Sequence, residues 1–445
     1  MSKKIKNIAL IGAGLVGSLM AIYLKKRGYK VSLYERRSDM RNADNSEGRS
    51  INLALSNRGI KPLTEIGLQN QLEKMVIPMR RRVMHDVKGN LTFQPYGKEG
   101  QFINSISRGG LNALLMNKAE EHGVELFFDH RCREVNLENT EVTLEHNGKE
   151  KQVKADLIIG TDGAYSSIRT AMQKTDRFNY HQRYINHGYK ELNIPPSASG
   201  GFHIEKNALH IWPRGNYMLI ALPNLDGSFT CTLFLPFEGE NSFETLDSDE
   251  KVEAFFNDVF QDVIPYMPTL LKEYNTNPSS SLMTVKSYPW VINKTLIIGD
   301  ASHAIVPFYG QGMNAGFEDC RILNDMLNTH HDDWNIVLPL FQKERKPDAD
   351  AILELALRNF IEMRDSVSDE NFLIRKKIEA KLHEQYPEKW IPLYSMVTFH
   401  ENMRYSEAIE KGEKQKTIMD KVMAQQGILE NWNSIDLEVI VNQLD

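Results

Sequence analysis

Residues 6–35, KNIALIGAGLVGSLMAIYLKKRGYKVSLYE, constrain the fold more than any other stretch. They read as an apolar strand, a glycine turn, an amphipathic helix that stops at Gly28, and a second strand. Gly12, Gly14 and Gly17 supply G-x-G-x-x-G between the first strand and the helix. In such a turn Gly12 permits the tight bend, Gly14 lets the backbone approach a pyrophosphate, and Gly17 lets helix and strand pack closely. Glu35 ends the second strand 21 residues after Gly14, where a carboxylate meets a ribose hydroxyl. The whole βαβ context predicts an adenine dinucleotide. A glutamate in place of a basic residue suits an unphosphorylated ribose, so FAD or NAD fits better than NADP.

Two further strand–turn segments separate those two. DLIIGTDGAYSSIRTAM carries Asp162-Gly163 and then a helix through Ile168 and Arg169. Residues 295–320, TLIIGDASHAIVPFYGQGMNAGFEDC, break at Gly299-Asp300, pass Pro307, Gly310 and Gly312, and start a helix near Met313. A carboxylate at a strand's carboxyl end sits where open α/β sheets bind ligands. A glycine-flanked helix start beside it aims free N–H groups and a positive dipole end at negative charge. An acceptor for a ribityl hydroxyl next to donors for an electron-rich ring edge is what a flavin needs, and a simple NAD domain does not use three such turns. Arg49, Arg58 and Arg108 stand just before helix-like segments. Of these, Arg108 enters its helix from the small-residue run SISRGG, a place where a phosphate or flavin edge can be met.

Composition narrows the class. A length of 445 residues suggests two or three domains, and 41% hydrophobic with 25% charged residues suits a soluble globular protein. The formal net charge of −6 argues against a nucleic-acid footprint. Three widely spaced cysteines form neither a disulfide framework nor a zinc site, so a reducing compartment is expected. The histidines show no HExxH, and no metal is expected. No run approaches the roughly 20 apolar residues needed to span a bilayer.

RRRVMHDVKGNLTFQPYG, residues 80–97, predicts a hairpin turning at Lys88-Gly89-Asn90, with Val87 opposite Leu91 and Arg82 opposite Tyr96. A cation beside a phenol makes a clamp for an amino-acid carboxylate, although a solvated basic run is the plainer reading of these residues alone. Residues 177–290 alternate in strand fashion, with Met218, Ile220 and Leu222 on one face and Leu219 and Ala221 on the other. From about Pro339 the chain reads as helical. The stripe Ile352, Leu355, Ala356, Met363 encloses Asn359, an amide that must find a partner or cost about 1–3 kcal/mol.

The GAGLVG, DG and GDASH motifs together resemble the class A flavoprotein aromatic hydroxylases. GRSINLALS, INHGYKEL, HIWPR, MLIALPN, FTCTLFLPF and above all VPFYGQGMNAGFEDC resemble the branch of that family that acts on L-kynurenine. The match runs from about Lys6 to about Tyr405. It implies one tightly held FAD, NADPH as reductant, and oxygen from O2 inserted ortho to the substrate's aniline amine. It also carries roles onto residues of this chain. Cofactor contacts fall on Gly12, Gly14, Gly17, Glu35, Arg36, Arg49, Ala54, Arg108, Asp162, Asp300, Pro307, Gly310, Gly312, Met313 and Asn314. The substrate carboxylate falls to Arg82, Tyr96 and Tyr394. Asn359 and Glu362 stand near the amine or a water network, and Ile220, Leu222, Phe237 and Phe308 wall the pocket. No catalytic acid or base is assigned, because an aniline ring is already activated.

The expected architecture is α/β: a Rossmann-like FAD-binding domain with a β-sheet substrate domain and a helical C-terminal region. The boundaries expected are 1–75, 100–176 and 291–335 for the first, 76–99 and 177–290 for the second, and 336–445 for the third. Membrane-bound relatives continue into a hydrophobic anchor where this tail reads EVIVNQLD, so a cytoplasmic location is expected, with a homodimer compatible. Two alternatives stay open on the sequence. One is a hydroxylase of the same class for another aromatic acid, and the other is a flavin-binding redox sensor without turnover.

Overall fold

A computed structural model describes residues 5–42, 52–362 and 370–444, so that Arg49 and Met363 lie outside the described residues. In chain order, the elements that matter to the site begin with β1 (Asn7–Ile11), α1 (Leu15–Lys26), β2 (Lys30–Tyr34), β3 (Arg81–His85) and β4 (Leu91–Pro95). Next come α2 (Arg108–Glu121), β5 (Glu125–Phe127), β6 (Leu157–Gly160), α3 (Ser167–Met172), β7 (Asn179–Ile194), β8 (Ala208–Pro213), β9 (Met218–Pro223) and β10 (Phe229–Pro236). Then follow α4 (Asp249–Val259), β11 (Val291–Ile292), β12 (Thr295–Ile297), α5 (Asp300–His303), α6 (Gly312–Thr329) and α7 (Trp334–Ile361). The last are α8 (Glu370–Gln385), α9 (Leu393–Phe399) and α10 (Tyr405–Met423).

The chain forms two compact units. The first comprises Met1–Val76, Ser105–Tyr184 and Met283–Leu353, the second Ile77–Asn104, Ile185–Leu282 and Glu354–Asp445. The first unit is built on a six-stranded sheet in the order β11-β12-β6-β1-β2-β5. All its pairings are parallel except that of the edge strand β11. Strands covered on both faces must be apolar throughout, as Ile8, Leu10, Ile158, Leu296 and Ile297 are. Helix α1 is buried continuously from Gly17 to Leu24, which explains why its sequence is apolar nearly all round. Register settles where the turns emerge. Ile11 pairs with Gly160, and Gly160 pairs with Ile297. The glycine turn, the Asp162-Gly163 turn and the Gly299-Asp300 turn therefore leave three adjacent strands at the same carboxyl edge.

In the second unit six consecutive strands of a mixed sheet run β7-β10-β9-β8-β3-β4. One face buries Trp212, Leu219, Ala221, Cys231 and Leu233 against Phe255, Phe256 and Phe260 in and after α4. The pairing β3 with β8 puts Arg82 level with Leu209, and Met84 level with Ile211. The pairing β8 with β9 puts Ile211 opposite Ile220 and His210 opposite Ala221, which brings Leu222 level with Leu209. Arg82, Leu222 and Ile220 thus share the face opposite the aromatic core. Helices α8 and α10 bury a separate cluster that includes Ile378, Leu382, Ile418 and Met419.

The hairpin differs from expectation. His85 pairs with Leu91 and Arg82 with Gln94, not Tyr96. The turn is longer because the Asp86 carboxylate collects the N–H groups of Lys88 and Asn90, each at 2.8 Å, an Asx arrangement that ends the first arm two residues earlier while the second still begins at Leu91. A slip of two residues preserves the face each side chain takes, so Arg82 and Tyr96 remain on one side.

Candidate functional site

At the first turn Gly12 has φ +104°, and a Cβ there would stand 2.6 Å from the Thr161 carbonyl oxygen. Thr161 Oγ1 donates to the Ile11 and Gly12 carbonyls at 3.0 and 2.8 Å, stitching the first turn to the second. A Cβ on Gly17 would lie 2.0 Å from the Gly12 carbonyl oxygen, so helix and turn pack without a side chain between them. Around Gly14 nothing lies within 4 Å of that position, so the turn borders open space. Glu35 is buried and accepts from the Ala13 N–H at 3.0 Å with one oxygen and from Arg37 N–H and Nε with the other. Arg36 is exposed.

At the second turn Asp162 Oδ2 accepts from the N–H groups of Ser167 and Ile168 at 2.6 and 3.3 Å, while its buried Oδ1 has no partner among the described residues. Burial pushes this carboxyl above its usual range. Arg169 donates to the Ala164 carbonyl at 2.6 Å and to the Ala301 carbonyl at 2.8 Å, tying the second turn to the third.

The third turn is held from behind. Gly299 has φ 61° and ψ −143°, a region reserved for glycine. Its N–H donates to Asp319 Oδ2 at 3.1 Å, and His303 Nε2 lies 2.6 Å from the same oxygen. Arg345 grips the other oxygen with Nε and Nη2, both at 3.0 Å, and also meets Glu318 and Asp348 at 3.1 Å. Glu318 in turn receives Arg58 at 2.7 Å. Asp300 points away from this network. Its side chain is open to water, yet burial pushes its carboxyl up, against the pull of His303 and Arg108. The two facts together describe a carboxylate on the wall of a recess.

Asn314 latches the start of α6. Its Nδ2 donates to the Ala54 and Gly310 carbonyls, both at 2.8 Å, and its Oδ1 accepts from the Ser56 N–H at 3.0 Å. The side chain is thus spent on the protein, and what Asn314 can offer a ligand is its backbone amide, alongside those of Gly312 and Met313. Pro307 is exposed beside them and Phe308 is buried. An open Gly14, an orphaned Asp162 oxygen, a recessed Asp300 and a helix start with free amides together fit a flavin dinucleotide.

The second unit gathers its own group. The Arg82 guanidinium lies 4.9 Å from the Tyr96 ring centre and 4.4 Å from that of Tyr394, and those two rings stack 5.7 Å apart. Burial works against the charge on Arg82, but Tyr394, Tyr96 and Glu362 more than offset it, so the group stays cationic. Among the described residues the buried Tyr96 hydroxyl has no hydrogen-bond partner beyond the approach of Arg82. Glu362 pairs with Lys376 at 3.4 Å and not with Arg358, which is held by Glu354 and Glu413. Asn359 is half-buried on α7. Phe237 is half-buried against Phe243. Arg81 pairs with Glu205 at 2.9 Å, and Arg80 lies over Phe102.

The profile of the FAD binding domain family matches residues 6–356. A protein of Flavobacterium psychrophilum, kynurenine 3-monooxygenase, is 50% identical over 447 residues that cover 99% of each chain. The kynurenine 3-monooxygenase of Sus scrofa is 44% identical over 94% of this chain and 88% of its own. This chain belongs to the kynurenine 3-monooxygenase family. Solved structures with the fold of this family include the tetrameric form of 2-methyl-3-hydroxypyridine-5-carboxylic acid oxygenase, 20% identical with TM-score 0.65 over 82% of this chain and 94% of that one. Another is Pseudomonas aeruginosa PqsL in complex with 2-aminobenzoylacetate, 17% identical with TM-score 0.66 over 82% of this chain and 97% of that one.

As a kynurenine 3-monooxygenase family member, the chain keeps its glycine turns in place with residues that sequence reading passed over: Arg169, His303, Glu318, Asp319 and Arg345. The signal available was faint. An Arg or Asp inside an amphipathic helix looks solvated unless its partner, here 26 residues away for Asp319 and Arg345, is known.

Proposed function

We propose that this chain is an FAD-dependent monooxygenase that converts L-kynurenine, O2 and NADPH to 3-hydroxykynurenine, water and NADP+. The step belongs to tryptophan catabolism on the way to quinolinate and pyridine nucleotides. Cofactor binding is assigned to the first unit and substrate binding to the second. What supports the substrate class above all is a half-buried cation, Arg82, boxed by two phenols on the sheet face that also carries Ile220 and Leu222. A planar guanidinium offers two parallel donors to a carboxylate, and the Tyr96 hydroxyl adds a third. Tyr394 completes the box. Asn359 and Glu362, three residues apart, suit the ammonium end, while Phe237 of the same unit suits the ring.

Reduced by NADPH, bound FAD supplies the activated oxygen. The chain's own work is to bind, orient and exclude water. Gly12 lets the first turn close tightly and Gly14 leaves room for a pyrophosphate, Glu35 and Asp300 accept from hydroxyls, and Arg36, Ala54, Arg108, Asp162, Pro307 and Gly310 are assigned to the same cofactor. The amides of Gly312, Met313 and Asn314 offer positive charge to the flavin's electron-rich edge. No side chain has to remove a proton before the ring reacts, because the aniline nitrogen already feeds electrons to it.

Among the described residues no helix is long and apolar enough to cross a membrane. A cytoplasmic site of action is supported by three cysteines that are all free and buried. Assembly as a homodimer is supported by exposed Val87, Leu91 and Phe93 on the edge hairpin. The deciding assay mixes the yellow protein with NADPH and L-kynurenine. Kynurenine-stimulated NADPH consumption with 3-hydroxykynurenine as product is expected. Consumption without that product overturns the reading.

A further inference from the structure

His85 closes β3 three residues beyond Arg82, on the face turned to the aromatic core. A chain of polar contacts runs through its ring. Nδ1 lies 2.7 Å from Asp262 Oδ2, and Nε2 lies 2.9 Å from His210 Nδ1. His210 Nε2 lies 2.9 Å from the Glu205 carbonyl oxygen. Trp212 Nε1 donates to both Asp262 oxygens, at 3.0 and 2.9 Å, and its ring stacks on His85 with centres 4.0 Å apart. Both imidazoles are buried. The reaction described above uses none of these groups.

The contacts fix a proton count. A carbonyl oxygen only accepts, so His210 Nε2 carries a proton. Asp262 accepts from Trp212 with both oxygens and is a carboxylate, so His85 Nδ1 carries another. The contact between the two rings needs a third. Three protons on two imidazoles make one imidazolium, and with only two protons a pair of acceptors is left facing each other in the protein interior. Burial pushes His210 down to about 4, so that ring stays neutral, and the Asp262 carboxylate 2.7 Å from His85 Nδ1 places the third proton on the His85 side of the pair. Burial pushes the Asp262 carboxyl up, but the hydrogen bonds from His85 and Trp212 outweigh it and hold the group below its usual range. The other charged groups nearby are engaged elsewhere. Arg214 donates to the carbonyls of His85, Asp86 and Val259, the Glu205 carboxylate pairs with Arg81, and the Asp86 carboxylate is folded into its own turn. Phe229 presents an apolar edge to His210.

We propose that this buried proton, held along Asp262–His85–His210, is a pin that locks β3 to β8 and to the corner after α4. Through β3 it positions Arg82, and so substrate affinity depends on the proton staying in place. That last step rests on Arg82 as the carboxylate anchor.

The test uses the full-length, FAD-loaded protein labelled with 15N-histidine. At pH 7 the imidazole whose Nε2–H bonds a second imidazole, identified by coupling across that hydrogen bond, is expected to show both ring nitrogens protonated. As the pH is raised that imidazole loses its proton, and over the same range KM for L-kynurenine rises roughly fivefold or more while kcat changes less than about twofold. Asp262→Asn, which removes the counter-charge, should move both transitions down together by about one pH unit or more. Absence of the second proton on that paired imidazole at pH 7 in the wild-type protein overturns the pin, and that measurement needs no variant to fold. A KM that stays flat while the imidazole deprotonates overturns the positioning of Arg82. Failure of the anchor itself is read separately, from an Arg82→Ala variant whose KM is unchanged while the 15N signature persists.

Discussion

At the scale of single residues, the two charges that face ligands are set up in opposite ways. Arg82 sits in a box that keeps it cationic without giving it, among the described residues, a carboxylate of its own in direct contact. Arg82→Ala should raise KM for L-kynurenine by roughly 30- to 900-fold, or about 2–4 kcal/mol, because the substrate carboxylate then lies buried and unpaired. Flavin content should not change, since Arg82 belongs to the unit assigned to substrate. Steady-state kinetics together with the ratio of flavin to protein absorbance check both halves. Asp300 is the reverse case, a carboxyl raised by burial. A raised acid contributes stability while it is protonated, below its unfolded range near ~3.9, and that contribution is lost as pH rises through the folded value. Asp300→Asn should therefore leave the flavin-free protein at least as heat-stable at pH 7 as the wild type, and flatten the fall in its stability as pH rises above about 4. It should also weaken FAD binding. Melting curves of the apoprotein and flavin titration separate the two effects.

At the scale of elements, the three turns are the unit of design, and their glycines do different work. A Cβ at Gly14 meets nothing in the protein, whereas one at Gly17 meets the Gly12 carbonyl oxygen at 2.0 Å. Gly14→Val should give folded but colourless protein, and Gly17→Val should give protein that unfolds early. Circular dichroism melts beside visible spectra tell them apart. The network behind the third turn makes a second demand. Arg345→Met leaves Asp319, Glu318 and Asp348 buried with less cation, and should cost about 3–5 kcal/mol in urea unfolding.

This is also where sequence reading worked and where it stopped. The turns were legible because glycine, carboxylate and helix start follow each other locally within a few residues. The roles of Asp319, Arg345 and Arg169 were not legible, because a buried charge is recognised by its partner and each partner lies on another element. The hairpin shows a middle case. Its strands and faces could be read, but Asp86 shifted the register by capturing the turn's N–H groups, a choice that alternation of side chains cannot reveal.

For the molecule as a whole, the sequence order scatters what the sheet order gathers. Ile11, Gly160 and Ile297 stand side by side in the sheet although nearly 290 residues separate the first from the last. A polypeptide stopped at residue 290 possesses the dinucleotide fingerprint and the second turn, but lacks β12, Asp300 and the start of α6. Such a fragment should retain no flavin after purification, which absorbance at visible wavelengths checks directly. During synthesis, then, a ribosome must complete about two-thirds of the chain before any prosthetic group can dwell on it. Colour in this enzyme certifies that translation has passed its third turn, and it is acquired late and all at once.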